Sequence, residues 1–265
     1  MRLVSLCLYI GWVEKEPVVV VTNVAKSFEG LHALAPTSFA VERGSFVSIV
    51  GPSGCGKSTL FNILAGLESP TAGAITLSGA DVTGKRGHVG YMLQKDLLVP
   101  WRSVLGNITM GAHLTSGVKQ IDEVRAAELA REYGLGEFLA HYPVALSGGM
   151  RQRVALMRTL MTDKELLLLD EPFGALDAQT RYEMQRWLLE VWQSSQRTVM
   201  FVTHDVDEAI FLSDRILVMS PRPGSVVADI TIDLPRPRRT AMLTEPSFMS
   251  AKREILALLY SEGEQ

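Results

Sequence analysis

The spacing of apolar residues changes along the chain, and the changes mark the elements. Residues 18–21 are a β-branched run after Pro17, and residues 37–41 and 46–50 follow with the turn-like Glu42-Arg43-Gly44 between them. Such runs predict strands, so the opening third is expected to be rich in β-structure. Past Gly56 the period lengthens: Leu60, Ile63, Leu64 and Leu67 recur at i, i+3, i+4 and i+7, the stripe of an amphipathic helix that Gly66 and Pro70 help to close. From about residue 96 to 161 the pattern is helical, polar from Lys119 to Tyr133 and then with Met150, Val154, Met157 and Met161 on one face. Alternation of strand and helix resumes with an apolar run at 166–169, a helix at 178–195, and strands at 198–202 and 216–219. This order predicts a parallel α/β sheet carrying a helical insertion. Beyond Pro221, prolines at 223, 235 and 237 read as a loose connector to a last helix at 248–260.

Length and charge narrow the class. The 265 residues carry 26 Lys and Arg against 29 Asp and Glu, a net charge of -3 that argues against a general polyanion binder, so no nucleic-acid partner is expected. The two cysteines, Cys7 and Cys55, provide no disulfide framework and point to a reducing compartment. The apolar stretch at 3–13 falls well short of the ~20 residues a spanning helix needs. It follows Met1-Arg2 without a small-residue cleavage pattern, so residues 1–16 read as a ragged N-terminus and the chain is expected not to cross a bilayer.

The chemistry concentrates in a few motifs. Gly51-Pro52-Ser53-Gly54-Cys55-Gly56-Lys57-Ser58, followed by Thr59, fits G-x-x-x-x-G-K-[ST] between a strand and a helix. Glycines let backbone N–H groups wrap a phosphate, Lys57 is placed for the β- and γ-phosphates, and Ser58 for Mg²⁺. The apolar run at 166–169 ends in Asp170-Glu171, which suits one carboxylate to Mg²⁺ through water and the other to the attacking water. Leu146-Ser147-Gly148-Gly149-Met150 opens a helix with a hydroxyl and bare amides, a second anion-binding start. Arg151 and Arg153 just beyond it read as a solvated helix start.

With these motifs in this order, the chain from about residue 18 to 219 resembles the ATP-binding cassette family, the motor subunits of membrane transporters. The resemblance implies a P-loop NTPase, RecA-like parallel core with an N-terminal antiparallel β subdomain and a helical signature-motif subdomain. The core would span 17–95 and 160–221, the helical part 96–159, and the connector with its helix 222–265. It implies a homodimer that sandwiches two ATP with Mg²⁺, in which Ser147, Gly148 and Gly149 of one copy cap the nucleotide on the other copy's loop. By position Gln94 matches the glutamine that senses Mg²⁺ and the partner subunit, Asp177 the loop touching the opposite site, and His204 the switch histidine at the γ-phosphate. Phe28 stands where a tyrosine usually stacks on adenine and keeps the stacking face. Met150 replaces a usual glutamine and Gly174 a common serine, neither removing a group assigned to chemistry.

The run from Gln94 to Arg102, with Val104-Leu105-Gly106-Asn107-Ile108, is similar to the nitrate, sulfonate and taurine importers. The resemblance then implies integral permease subunits, an extracytoplasmic solute-binding protein acting indirectly, and a place at the cytoplasmic face of the cell membrane. Another cassette system, such as a thiamine-precursor importer or an exporter, and a non-transport nucleotide-binding module are the alternatives. Leu97, Leu98, Val99, Pro100 and Trp101 form an apolar cluster that either docks a short helix of the membrane subunit or packs in the subunit's own core.

Overall fold

The computed structural model describes residues 17–116, 123–174 and 176–260. The readings for residues 1–16, Cys7 among them, for Ala175 and for the first part of the polar run after Lys119 lie outside the described residues. In chain order the elements are β1 (Pro17–Phe28), β2 (Leu31–Glu42), β3 (Phe46–Val50), α1 (Lys57–Leu64), β4 (Ala72–Leu77), β5 (Ala80–Asp81), β6 (Gly90–Met92), α2 (Val104–Ser116) and α3 (Glu123–Glu132). There follow α4 (Gly148–Leu160), β7 (Leu166–Asp170), α5 (Ala178–Ser195), β8 (Thr198–Val202), α6 (Val206–Leu212), β9 (Arg215–Met219), β10 (Val226–Thr231) and α7 (Pro246–Tyr260).

Two sheets carry the fold. The first is antiparallel, ordered β2-β1-β4-β5, and the second is ordered β10-β9-β3-β8-β7-β6. All neighbours in the second are parallel except the pair β10 and β9. Its central strands are apolar on both faces, and alternate residues enter different cores. Phe46, Val50, Leu167, Leu169, Val199, Phe201, Ile216 and Val218 pack toward the helical side. Val47, Ile49, Leu166, Leu168, Met200, Val202, Leu217 and Met219 pack toward α1 and the antiparallel sheet. A period of two with both sets apolar is what a sheet covered on both faces requires, and it explains why these strands read as continuous apolar runs.

Three expectations change. Strands β1 and β2 extend well past residues 18–21 and 37–41, because register shifts let the ribbon continue through polar residues. Leu67 is not on α1: the helix stops at Leu64, and Leu67 lies beyond it and exposed, while Leu60, Ile63 and Leu64 are buried as expected. The stretch after Pro221 is not all connector, since β10 pairs antiparallel along β9 from Val226 to Thr231. In the helical region Val154, Met157 and Met161 are buried on one face of α4 and its end, with Met150 packed partly against them.

Candidate functional site

The carboxyl ends of the parallel strands gather the chemistry, the edge where open α/β sheets bind ligands. The glycine loop leaves β3, Gln94 follows β6, Glu171 follows β7 and His204 follows β8. A cleft of about 430 Å³ opens there, bordered by Phe28, Ser53, Lys57, Ser58, Gln94 and Glu171 among others, with Gly54, Gly56 and Thr59 also on its wall. Gly56 has φ of 108°, and a Cβ there would sit 2.6 Å from Leu34 Cδ2, so both conformation and space require glycine. The buried Lys57 ammonium donates to Gly51 O at 2.7 Å and Pro52 O at 3.0 Å, with Cys55 Sγ 3.8 Å away. It is therefore held over the loop by carbonyls that an anion's oxygens can replace. Phe28 is exposed at the cleft mouth, with Lys26 Nζ 4.6 Å from its ring centre.

Asp170 ends β7 almost fully buried. Burial raises its carboxyl above the ordinary range and adjacent Glu171 adds to this, while hydrogen bonding to Ser58 and the charge of Lys57 oppose it. Its Oδ1 is buried with no hydrogen-bond partner. An orphaned carboxylate oxygen beside a serine hydroxyl is a hard-oxygen donor set that suits Mg²⁺, which takes one or two carboxylates and leaves the remaining positions to phosphates and water. Among the described residues no cluster of three His, Cys, Asp or Glu side chains offers an all-protein metal site.

Glu171 sits between two neighbours: its Oε2 accepts from Gln94 Nε2 at 3.1 Å, and its Oε1 lies 3.5 Å from His204 Nδ1. Its φ of 48° is left-handed, a conformation that costs a non-glycine residue about 1 kcal/mol or more. The surroundings hold it there. Glu171 N donates to Val202 O at 2.9 Å, and Glu171 O accepts from Gly174 N at 3.2 Å and Gln152 Nε2 at 3.4 Å.

Ser147, Gly148, Gly149 and Asp177 are not on the wall of this cleft. Ser147 is the N-cap of α4, its hydroxyl accepting from Met150 N at 3.2 Å. Asp177 caps α5, accepting from Thr180 N at 3.0 Å, and hydrogen bonds from Thr180 hold its carboxyl below the ordinary range. Arg151 and Arg153 are not a solvated helix start. Arg151 pairs with Asp96 at 3.0 Å and donates to Leu146 O at 2.9 Å, and Arg153 donates to Tyr133 O at 3.1 Å. Arg158 adds bonds to Leu97 O at 2.9 Å and Asp96 O at 2.6 Å, so α4 grips the segment after Gln94. The buried amide of Asn107 binds the same segment through Val99 N and O, Arg102 O and Ser103 O, at 2.8–3.1 Å. Sequence reasoning missed this scaffold, since single polar residues carry no period. Trp101, at its tip, is 78 % exposed and Leu97 is 55 % exposed, which removes these two from the subunit's own core.

The chain is similar to known proteins in sequence and in fold. Residues 34–174 match the model of the family described as ABC transporter. An uncharacterized ABC transporter ATP-binding protein of Methanocaldococcus jannaschii is 45% identical over 251 residues, 91% of each chain. The taurine import ATP-binding protein TauB of Rhizobium johnstonii is 43% identical over 236 residues, 87% of this chain and 90% of that protein. Among solved structures, a dimeric ATP-binding cassette in a post-hydrolysis state with ADP and Pi superposes with a TM-score of 0.73 at 29% identity, covering 82% of this chain and 99% of that one. Phosphate loop, paired carboxylates, signature helix and whole-length similarity agree: the chain belongs to the ABC transporter family and is one of its ATP-binding proteins.

Proposed function

We propose that the chain is the ATP-hydrolysing subunit of an importer, driving uptake of a small taurine-, sulfonate- or nitrate-like solute through separate membrane subunits. Glu171, bracketed by Gln94 and His204 at the end of a phosphate-loop cleft, carries the reading, because a carboxylate so placed serves water attack on a terminal phosphate. The solute class rests on the likeness to taurine import ATP-binding proteins of Rhizobium johnstonii and Yersinia, at 43% and 39% identity.

In the proposed cycle Phe28 stacks on adenine, the N–H groups of residues 51–59 take the phosphates, and Lys57 exchanges its carbonyl partners for phosphate oxygens. Ser58, Asp170 and Gln94 would hold Mg²⁺, which when bound neutralises charge developing on the phosphates. Ser147, Gly148, Gly149 and Asp177 act from the second copy of a homodimer around two ATP, which accounts for their lying outside the cleft of their own chain. Glu171 then orients and deprotonates water while His204 stabilises charge at the γ-phosphate.

The exposed Leu97 borders a groove of about 410 Å³ lined by Tyr91, Met110, Arg158 and Thr162 among others, and this groove, with exposed Trp101 close by in the chain, takes a short helix of the permease. No described helix is long and apolar enough to cross a membrane, so the path itself belongs to those partner chains. An extracytoplasmic solute-binding protein acts on them from outside, and the subunit works at the cytoplasmic face. Glu171→Gln tests the reading: ATP affinity should persist, steady-state hydrolysis should fall at least ~100-fold, and an ATP-dependent dimer should appear in light scattering. Turnover within a fewfold of the parent would overturn it.

A further inference from the structure

Four strand ends of the parallel sheet, β3, β8, β7 and β6, each deliver a group to the cleft, and the next strand outward from β3 is β9. The loop leaving β9, from Ser220 to Ser225, turns over the phosphate loop rather than away from it. Gly224 N donates to Ala33 O at 3.2 Å and Ala35 N to Gly224 O at 3.0 Å, which docks the loop on β2. A Cβ on Gly224 would lie 1.8 Å from Cys55 O, so the loop backbone rests directly on the phosphate loop. The Ser220 hydroxyl closes the turn by accepting from Ser225 N at 3.0 Å. This construction holds Arg222 at the cleft wall, where its Nε donates to Gly54 O at 3.1 Å. Among the described residues no carboxylate lies within ion-pair distance of its guanidinium.

We propose that Arg222 is a further nucleotide-binding residue, its terminal nitrogens donating to the phosphate tail of ATP from the side of the loop opposite Glu171. The bond from Nε to Gly54 fixes the guanidinium plane and leaves the other N–H donors for a ligand, and a cation without a counter-charge beside a loop built for phosphates is matched by an anion. The contact rests on the reading of the cleft as an ATP site. It adds to the loop and Lys57 a third source of positive potential, contributed by the β9–β10 connection that the sequence pattern marks only as a proline-rich break.

The test is equilibrium binding of fluorescent ATP, ADP and AMP analogues to the full chain in EDTA, where neither hydrolysis nor a closed dimer contributes. Arg222→Gln keeps a donor near Gly54 but loses the charge. It should weaken ATP and ADP by about tenfold and AMP by less than about twofold, with Arg222→Lys in between and the melting temperature of the ligand-free chain unchanged. An equal loss for all three nucleotides would overturn the proposal and leave Arg222 as a support of the loop. Unchanged binding, with loss of the dimer only in a Glu171→Gln chain, would assign it instead to the second copy's surface. If Lys57→Ala also leaves ATP binding intact, the cleft itself has been misread, which separates failure of the site from failure of this contact.

Discussion

Removing the Asn107 side chain should cost stability out of proportion to its size. Asn107 is fully buried at the start of α2, yet its side chain bonds only backbone between Val99 and Ser103: Oδ1 accepts from Val99 N, and the two Nδ2 hydrogens are shared among the carbonyls of Val99, Arg102 and Ser103. Each such bond is worth about 0.5–1.5 kcal/mol net, and a buried group left unpaired costs more. Part of residues 99–103 is exposed, so some of the released carbonyls regain water, and Asn107→Ala is expected to lose about 2–4 kcal/mol. At ~2–4 °C per kcal/mol for a chain of this size, the melting temperature should fall by roughly 5–15 °C. Asn107→Asp separates hydrogen bonding from packing. It keeps the acceptor for Val99 N but turns carboxylate oxygens toward three carbonyls, so it should be at least as damaging as alanine. Thermal and urea unfolding of both variants checks this. A drop below ~2 °C for Asn107→Ala, or a well-tolerated Asn107→Asp, would refute the idea that this amide pins the segment.

Trp101→Ala should leave melting temperature and ATP binding of the isolated subunit within error, because the indole is 78 % exposed, while co-purification with the membrane partner and transport fall sharply. Normal assembly and transport would place the docking surface elsewhere. A cross-linked heterodimer of a Ser147→Arg chain with a Glu171→Gln chain should retain hydrolysis, since both lesions fall in one composite site if Ser147 acts on the other copy's nucleotide. Complete loss, with active single-lesion controls, would mean that Ser147 acts within its own chain. Glu208 is buried and bonded by Gln185 at 2.8 Å, and burial raises its pKa above 4.5. Between 4.5 and that raised value the folded chain holds more protons than the unfolded one, so stability falls as pH rises through the window. Glu208→Gln should flatten this slope in melts followed upward from about pH 4.5, raised Asp170 leaving a remainder, and an unchanged slope would refute the assignment.

What the sequence made legible follows the strength of local constraint. The loop from Gly51 to Ser58 needs residue types that few other structures need in that order, and the apolar runs of β3, β7, β8 and β9 announce a sheet covered on both faces. Strand β6 spans only Gly90–Met92 and β5 only Ala80–Asp81, too short for any period. Strand β10 alternates half-buried Val226, Ala228 and buried Ile230 with exposed Val227, Asp229 and Thr231, a signal that the prolines on either side concealed. The site shows the same division. Gln94 and His204 were placed by order along the chain, but their meeting on Glu171 depends on which strands are neighbours. Asn107, Arg151 and Arg158 were invisible as partners because each reaches backbone or a carboxylate distant in sequence.

Those concealed contacts bear on how the two ends of the helical region move. Arg158 lies near the end of α4 and Arg151 near its start, yet both bind the segment at Asp96 and Leu97. Desolvation lowers the Arg158 pKa while Asp96 works against this, as for a partly buried cation whose bonds offset its lost hydration. Two such attachments along one helix resist rotation of the segment about either, so a push on exposed Leu97 and Trp101 is carried into α4 as a whole rather than absorbed in a flexible loop. Ser147 caps that helix, and Gln94 begins that segment. A load at the apolar tip is therefore shared between Gln94, which meets Glu171, and the start of α4, whose cap Ser147 is not on the wall of the cleft.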